Sequence, residues 1–286
     1  MRSPKEESSA YCSFRNTLLN LVDDAWDEYD YFRSETRKTV GWQVVGNMPI
    51  LYFGDWQAYA DSSPRIITVG YNPSKLEFSG IGRSRFPRNL RKSDSIEKYT
   101  RALNGYFHNR PYEEWFNHYE KLLAGLGATY GGKMNSATIR PYATSSVIHT
   151  DLCSPLATEP TWGKLPAKTK SALQKQGTCI WQSLVADCLK PNIILVSTAP
   201  SYMDREIAPL NRWKTFRTIS RTSGHSPRRV PYHVKTCVVT FHGEKAVVIY
   251  GPLIRVPFNV FCSAEIGQQI KDNYQRLLSR PPLRTL

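Results

Sequence analysis

A short apolar run followed by a tight turn constrains this chain more than any other segment. Residues 65–74 read Arg-Ile-Ile-Thr-Val-Gly-Tyr-Asn-Pro-Ser. The run Ile66–Val69 has strand character, and Gly70 permits a sharp turn after it. Pro73 then biases Asn72 toward an extended backbone. The pattern predicts a polar amide at the carboxyl end of a central strand, where open α/β sheets bind ligands. An ordinary strand-to-loop turn would carry the same Asn-Pro pair.

Apolar strands separated by helical crossovers predict an α/β fold with three α/β/α layers and a central, mainly parallel sheet. We expect one domain over residues 1–286, with residues 1–60 as a helical extension packed on it. Strands are expected at 65–69, 145–150 and 192–197, followed by a β-pair, Val234–Thr240 and Ala246–Tyr250. Helices are expected at Tyr11–Phe32, Tyr112–Leu126, 167–189 and Glu265–Leu278. Residues 75–110 and 199–230 read as irregular, basic excursions.

The charge of the chain favours a polyanionic partner. Its 286 residues carry a formal net charge of +14. The cations cluster in two segments, with Arg83, Arg85, Arg88, Arg91 and Lys92 in the first and Arg212, Lys214, Arg217, Arg221, Arg228 and Arg229 in the second. Such surfaces bind phosphates and release counterions. A plain solubilising face is the alternative.

Cysteine spacing and hydropathy exclude several other classes. The six cysteines are scattered without a Cys-x-x-Cys pair, which argues against a zinc ribbon or an iron–sulfur cluster. No apolar stretch is long enough to span a bilayer, and no secretory leader is visible. We therefore expect a cytoplasmic monomer without metal, cofactor or membrane contact.

Three later segments extend the first motif. They are Ser145–Ala157, with the run His149-Thr150-Asp151, then Leu189–Thr198, then Val247–Arg255. In that order after Gly-Tyr-Asn-Pro-Ser, the chain resembles the uracil-DNA glycosylase superfamily, loosely over residues 64–278. The likeness is to mismatch-type branches with a Gly-x-Asn-Pro first motif. It implies that the protein flips a nucleotide out of double-stranded DNA and hydrolyses its N-glycosidic bond.

The resemblance also implies roles for the motif residues. Asn72 would lie beneath the sugar and position water, although an amide cannot take up a proton at neutral pH. Ser74 stands where strict uracil-removing relatives carry a bulky aromatic residue, so the pocket would have room beside pyrimidine C5. A neighbouring side chain, Tyr71 or Phe78, would close that gap if it pointed inward. Gly70 completes the expected base pocket.

Strand alternation places His149 and Asp151 on one face, with Thr150 on the other. Asp151 could act as a base, contact the amino edge of the nucleobase or cap the next loop. It is the second candidate for activating water. His149 is assigned to the base pocket, with a core histidine as the alternative.

The last motif departs from the family, because Tyr250–Arg255 replaces the usual His-Pro-Ser. A backbone N–H near Gly251 could meet the base, or the motif could instead lie at Ser197–Ser201. Lys75 is expected on a phosphate, with Schiff-base chemistry as the weaker alternative. The remaining residues assigned to DNA contact, including the wedge into the duplex, are Arg83, Arg85, Arg88, Leu253, Ile254 and Arg255.

Three functions fit these features. The first is a monofunctional glycosylase for a modified or mispaired pyrimidine, acting in phage defence on glucosylated hydroxymethylcytosine or in uracil and thymine-mismatch repair. The second is a reader of modified bases that does not cut. The third is an N-glycosidase for free nucleotides, which the basic segments disfavour because a mononucleotide needs no extended cationic surface.

Overall fold

The computed structural model of this protein describes residues 9–36, 41–78, 85–131, 146–252, 258 and 260–286. The strands are β1 (Gln43–Val44), β2 (Ile66–Gly70), β3 (Val147–Asp151), β4 (Thr158–Glu159), β5 (Ile193–Val196), β6 (Lys214–Arg221), β7 (Pro227–Phe241), β8 (Glu244–Tyr250) and β9 (Arg284–Thr285). The helices are α1 (Ser9–Thr36), α2 (Trp56–Ala60), α3 (Ile96–Asn104), α4 (Tyr106–Asn109), α5 (Glu113–Leu126), α6 (Ala167–Ser183), α7 (Pro200–Tyr202), α8 (Ser263–Asp272) and α9 (Tyr274–Leu278). Short 3-10 turns lie at Lys75–Glu77, Trp162–Lys164 and Leu210–Arg212, and π-helical turns at Leu184–Leu189 and Met203–Ile207.

A mostly parallel sheet forms the centre of the fold. Its order is β3-β2-β5-β8-β7-β6, and the first four strands run parallel to one another. β7 is antiparallel to both β8 and β6, and β9 pairs with the far end of β7. The expected α/β class with a mainly parallel sheet is confirmed, as is the β-pair, which turns at His242 and Gly243.

Helices cover both faces of this sheet. On β3, the His149 ring packs edge-on against Phe116 of α5, with ring centroids 5.0 Å apart. The next residue, Thr150, accepts a hydrogen bond of 3.0 Å from Trp181 of α6 on the opposite face. α8 packs against α5, and α1 packs against α6 and the following π-helical turn. The arrangement is compatible with three α/β/α layers.

Sequence signals account for the helix ends. Gly127 follows α5 with φ +78°, a left-handed conformation that glycine adopts readily, and its N–H donates to the Ala124 carbonyl. Asp55 precedes α2 and accepts from two backbone N–H groups of its first turn. The predicted helix at 112–126 is therefore confirmed to within one residue.

The excursion predicted over residues 75–110 is wrong in its second half. Residues 96–109 form α3 and α4 rather than a loop. Ser95 caps α3, and the buried side chains of Ile96, Tyr99 and Leu103 recur at helical spacing. Tyr106 and Phe107 continue the buried face into the aromatic cluster beside β3. The segment has an ordinary amphipathic helical pattern, which the surrounding basic residues made difficult to recognise in the sequence.

The irregular, basic segment predicted over residues 199–230 is also wrong. Residues 214–221 and 227–234 form a two-stranded ribbon, with Thr218 opposite His233 and Ile219 opposite Tyr232. Ile219 and Tyr232 are buried, whereas Thr218 and His233 are exposed and hydrogen-bonded to each other at 3.0 Å. Strand pairing and the burial of a few apolar side chains order this part of the chain.

Glu28 on α1 makes stability depend on pH. It is buried, and neither carboxylate oxygen has a hydrogen-bond partner in the described chain. Burial raises its pKa to about 8. The folded state therefore holds this proton more tightly than the unfolded chain, so the contribution favours folding below the ordinary pKa and is lost as the pH rises through about 8.

We expect the free energy of unfolding to fall between about pH 5 and about pH 8. Glu28→Gln should remove at least about 1 kcal/mol of that fall, because each pKa unit is worth about 1.4 kcal/mol. Denaturant unfolding at the two pH values measures the difference. An unchanged fall in the variant would show that other groups control the pH dependence.

Candidate functional site

A cavity of about 550 Å³ opens at the carboxyl ends of β2 and β3. The two strands end in register, with Gly70 opposite Asp151. The lining includes the six residues that the sequence analysis assigned to catalysis or to the base pocket: Gly70, Tyr71, Asn72, Ser74, His149 and Asp151. The predicted catalytic and base-pocket residues therefore surround one cavity.

The hydrogen bonds of Asn72 fix the orientation of its amide. Its Nδ2 group donates to the Leu156 carbonyl at 2.9 Å and to Thr158 Oγ1 at 3.0 Å. Thr158 Oγ1 in turn donates to the Pro160 carbonyl at 3.1 Å, so its oxygen can only accept from Asn72. The Asn72 amide nitrogen must face this loop, and Oδ1 is left at the cavity wall without a partner among the described residues.

Asp151 presents an uncompensated carboxylate to the cavity. The residue is 8% exposed, and its Oδ2 has no hydrogen-bond partner in the part of the chain that the structure describes. The other oxygen, Oδ1, lies 3.7 Å from His149 Nε2. No described backbone N–H donates to this side chain, so the capping role considered from sequence is not seen. A buried carboxylate oxygen without a partner is energetically costly, which favours a water molecule or a substrate N–H group that could reach it from the cavity.

His149 is held by a chain of hydroxyl groups. Its Nδ1 lies 2.8 Å from Thr68 Oγ1, which lies 2.6 Å from the Tyr130 hydroxyl. The ring is 3% exposed and contacts Phe53 and Phe116. These contacts fix the ring plane, so Nε2 is directed toward Asp151. His149 combines the core packing and the pocket position that were alternatives from sequence.

Gly70 is required by the close approach of these two side chains. A Cβ atom at this position would lie 2.5 Å from Asp151 Oδ1 and 3.2 Å from His149 Nε2. Real Cβ atoms do not approach other atoms so closely, so any side chain here would displace the carboxylate. The glycine that permits the turn in the sequence also makes room for the carboxylate at the end of the neighbouring strand.

Gly70→Ala should therefore damage the site. We expect a loss of about 1–3 kcal/mol in the free energy of unfolding, as for other overpacked cores, together with loss of activity. Gly163→Ala is a matched control, because Gly163 lines the same cavity and nothing lies within 4 Å of the place that its added methyl group would take. Thermal unfolding of both variants measures the difference. Equal behaviour of the two would contradict the close packing around Asp151.

Glu77 is a second carboxylate of the cavity that sequence reasoning missed. It is 2% exposed and accepts a 2.7 Å hydrogen bond from the Tyr106 hydroxyl, while Arg85 Nε lies 3.7 Å away. Burial raises its pKa to about 7, against the opposing influence of Tyr106 and Arg85. The one sequence signal was a lone acidic residue three positions after the Asn-Pro-Ser turn.

No protein-family model matches this chain, and no curated protein is found to be similar to it.

Aromatic side chains supply the walls of the cavity. Tyr112, Trp115 and Phe116 come from the region of α5, and Trp162 faces them from the loop before α6. Trp162 is fixed by a 2.8 Å hydrogen bond from its Nε1 to the Tyr202 hydroxyl. Flat apolar walls with a polar floor suit a planar heterocycle. None of these residues was assigned to the site from sequence; Tyr112, Trp115 and Phe116 fell in the helix predicted at Tyr112–Leu126.

Ser74 lines the cavity, and its hydroxyl accepts the Leu76 N–H at 3.2 Å as a cap of the following turn. Phe78 does not fill the adjacent space: it packs on Phe86 and closes over Gly46 instead. Tyr71 does line the cavity, but its hydroxyl accepts the N–H of Ala199. Trp115 and Trp162 line the same cavity as Ser74, whereas Phe78 does not.

The residues assigned to DNA contact are dispersed. Lys75 Nζ lies 2.5 Å from Glu159 Oε1 at the surface and does not line the cavity. Arg85 is mostly buried, lies over the Tyr112 ring and donates to the Leu76 carbonyl. Arg88 is exposed. The positions Arg83, Leu253, Ile254 and Arg255 lie outside the described residues.

Gly251 cannot offer its N–H to a base in this conformation, because that group donates to the Val196 carbonyl at 3.1 Å. Its own carbonyl accepts from Ser197 Oγ at 2.9 Å, which also removes Ser197 from the alternative last motif. Thr198, by contrast, has a buried Oγ1 without a described partner and lines a second cavity of about 360 Å³. Tyr71 lines both cavities, so they are neighbours.

Within the described ranges, no group of three or more His, Cys, Asp or Glu side chains could hold a metal ion. In the same part of the chain, no helix combines the length and apolar character needed to cross a membrane.

Proposed function

We propose that this protein hydrolyses the N-glycosidic bond of a pyrimidine nucleotide flipped out of double-stranded DNA, as the resemblance to uracil-DNA glycosylases implies. The observation that supports the proposal is that Asp151, with one carboxylate oxygen unpartnered in the described chain, and Asn72, with its amide nitrogen turned to the loop, line one cavity with aromatic walls. Breaking the C1′–N bond leaves positive charge on the sugar and negative charge on the base. A fixed carboxylate at the sugar and donors at the base stabilise that transition state.

In this mechanism Asp151 and Asn72 act on the attacking water. Oδ1 of Asn72 accepts one water proton and aims the oxygen at C1′. The Asp151 carboxylate takes the other proton as the new C1′–O bond forms, and the electron pair of the C1′–N bond leaves with the base. The amide is held by two hydrogen bonds, so water positioning requires little reorganisation.

Glu77 supplies the proton for the departing base. A pKa of about 7 keeps a substantial fraction of this carboxyl protonated at neutral pH. Its position in the cavity wall replaces the donor that the missing His-Pro-Ser motif would have provided. Base release should accordingly slow as the pH rises above about 7, where Glu77 loses its proton.

The volume and the small Ser74 favour a pyrimidine with a substituent at C5. Pockets of about 300–1,000 Å³ hold drug-sized ligands, so a cavity of about 550 Å³ exceeds the needs of a bare pyrimidine. We therefore place the substrate among hypermodified cytosines such as glucosylated hydroxymethylcytosine, with a role in defence against phages whose DNA carries them. Repair of uracil or thymine mispairs is the alternative within the same chemistry.

An abasic-site assay tests the proposal. Purified protein is incubated with matched duplexes carrying uracil, a thymine mispair, or methyl-, hydroxymethyl- or glucosyl-hydroxymethylcytosine, and alkali then breaks the strand at abasic sites. We expect breakage at the bulky cytosine above all others. Binding without breakage on every duplex would make the protein a reader. Release from free nucleotides at high salt would instead favour the N-glycosidase of mononucleotides.

A further inference from the structure

The ribbon formed by β6 and residues 227–234 of β7 projects from the edge of the sheet at which the cavity opens. β8 runs parallel to β5 and β2, and its last residue, Tyr250, is level with Val196 and hence with the end of β2. Pairing between β7 and β8 begins at Lys235, opposite Tyr250. Residues 227–234 therefore extend past that edge. Val234 lies opposite Arg217 and Pro227 lies opposite Arg221, so the paired part of the ribbon reaches roughly 13 Å, at about 3.3 Å per residue.

The charged side chains of this ribbon and its flanking residues are all basic. Residues 207–243 contain seven Lys and Arg residues and no Asp or Glu. Arg217 is neutralised by Glu265 of α8 at 2.9 Å, and Lys235 donates to the Leu210 carbonyl. The side chains of three other cations of the ribbon are exposed and make no hydrogen bond or ion pair with any described residue. These residues are Lys214, Arg221 and Arg229.

The outer face of the ribbon leads directly to the cavity. His233 and Lys235 of β7 line the second cavity together with Tyr71, which also lines the first. Exposed hydroxyl groups of Thr218 and Ser220 lie along the same ribbon, and the turn at 222–226 is Thr-Ser-Gly-His-Ser. Donors and cations thus lie along the ribbon, and its base lines the second cavity, which adjoins the candidate site through Tyr71.

We propose that this ribbon, the β6–β7 arm, binds the phosphates of duplex DNA beside the cavity and holds the duplex while a nucleotide enters it. A two-stranded ribbon fits the major groove of B-form DNA, and cations without internal partners are available to phosphates. Duplex DNA is favoured over a lipid surface because the turn at the tip carries no apolar side chain to insert. The inference rests on the proposed function only in taking DNA as the substrate.

The test is the salt dependence of binding to an unmodified, fluorescently labelled duplex, measured by anisotropy with the full chain. The arm variant is Lys214→Ser, Arg221→Ser and Arg229→Ser. The control removes three exposed cations elsewhere: Lys175→Ser, Lys190→Ser and Lys245→Ser. Both lower the net charge equally. We expect the arm variant to bind at least about tenfold more weakly and to lose about 2–3 from the slope of log affinity against log salt, about one per lost phosphate contact.

A conservative arm variant, Lys214→Arg, Arg221→Lys and Arg229→Lys, should retain the wild-type slope, and thermal unfolding shows whether each variant is folded. Equal losses in the arm and control variants would overturn the proposal, because net charge alone would then explain binding. A loss confined to single-stranded RNA or to phosphatidylserine vesicles would overturn it as well. The binding assay uses an unmodified duplex, so it does not depend on base release. If the arm contributes to binding as expected but no duplex releases a base, the proposed glycosylase activity is refuted and the proposed role of the arm in DNA binding stands.

Discussion

Asp151→Asn should abolish base release while leaving DNA binding intact. The change keeps the shape of the side chain but removes the proton acceptor that faces the cavity. Loss of a positioned base slows catalysis by about a hundred- to ten-thousand-fold. The variant should also unfold at a higher temperature than the wild type, because a buried carboxylate oxygen without a partner opposes folding. Single-turnover release from the best duplex and thermal unfolding measure the two effects.

Asp24→Asn provides the matched control, since Asp24 lies exposed on α1 and carries the same charge. It should change neither release nor stability. If Asp151→Asn releases the base at the wild-type rate, Asp151 has no part in activating water. If it loses DNA binding and stability together, the carboxylate holds the local structure instead of acting on substrate.

Asn72→Ala should slow base release by a similar factor for a different reason. It removes the Oδ1 acceptor and the two hydrogen bonds that Nδ2 donates to Leu156 and Thr158. We expect release to fall by at least about a hundredfold and the free energy of unfolding by about 1–2 kcal/mol, since a hydrogen bond contributes about 0.5–1.5 kcal/mol. Affinity for the duplex should change little. A reader of modified bases would show no release in the wild type either.

Thr158→Ala separates the two roles of Asn72. It removes one partner of Nδ2 but keeps the Oδ1 acceptor and the bond to Leu156. It also removes the hydrogen bond to the Pro160 carbonyl, so the loss of stability should be similar to that of Asn72→Ala, with most of the turnover retained. Similar catalytic losses in both variants would mean that the loop position, not the amide oxygen, controls the reaction.

The strand ends of the site were predictable because their signals are local. An apolar run, a glycine and an Asn-Pro pair describe the end of β2 completely, and alternation along β3 correctly places His149 and Asp151 on one face, away from Thr150. The register between the two strands is not encoded in either segment alone. Only the folded sheet brings Gly70 opposite Asp151, and only then does the need for a residue without a side chain become evident.

The parts missed from sequence depend on distant contacts. Glu77 reads as a surface acid until Tyr106 and Arg85, which are 29 and 8 positions away in the sequence, enclose it. The apolar residues of α3 recur at helical spacing within a basic stretch, so the helix could have been predicted from the sequence. The β6–β7 arm was not readable in this way, since the two paired strands are mostly polar and only Ile219, Tyr232 and Val234 are buried apolar positions.

One strand, β7, belongs to both the body and the arm. Its residues from Lys235 to Phe241 pair with β8 inside the sheet, and the same unbroken backbone continues into the projecting half. The pairing of β7 with β6 changes register between Thr215 and Arg217, next to the point where the two halves meet. Because β7 is shared, whatever molecule binds the arm meets the cavity at an angle set by the core, so changes in core packing would redirect the approach of the substrate without touching a single surface residue.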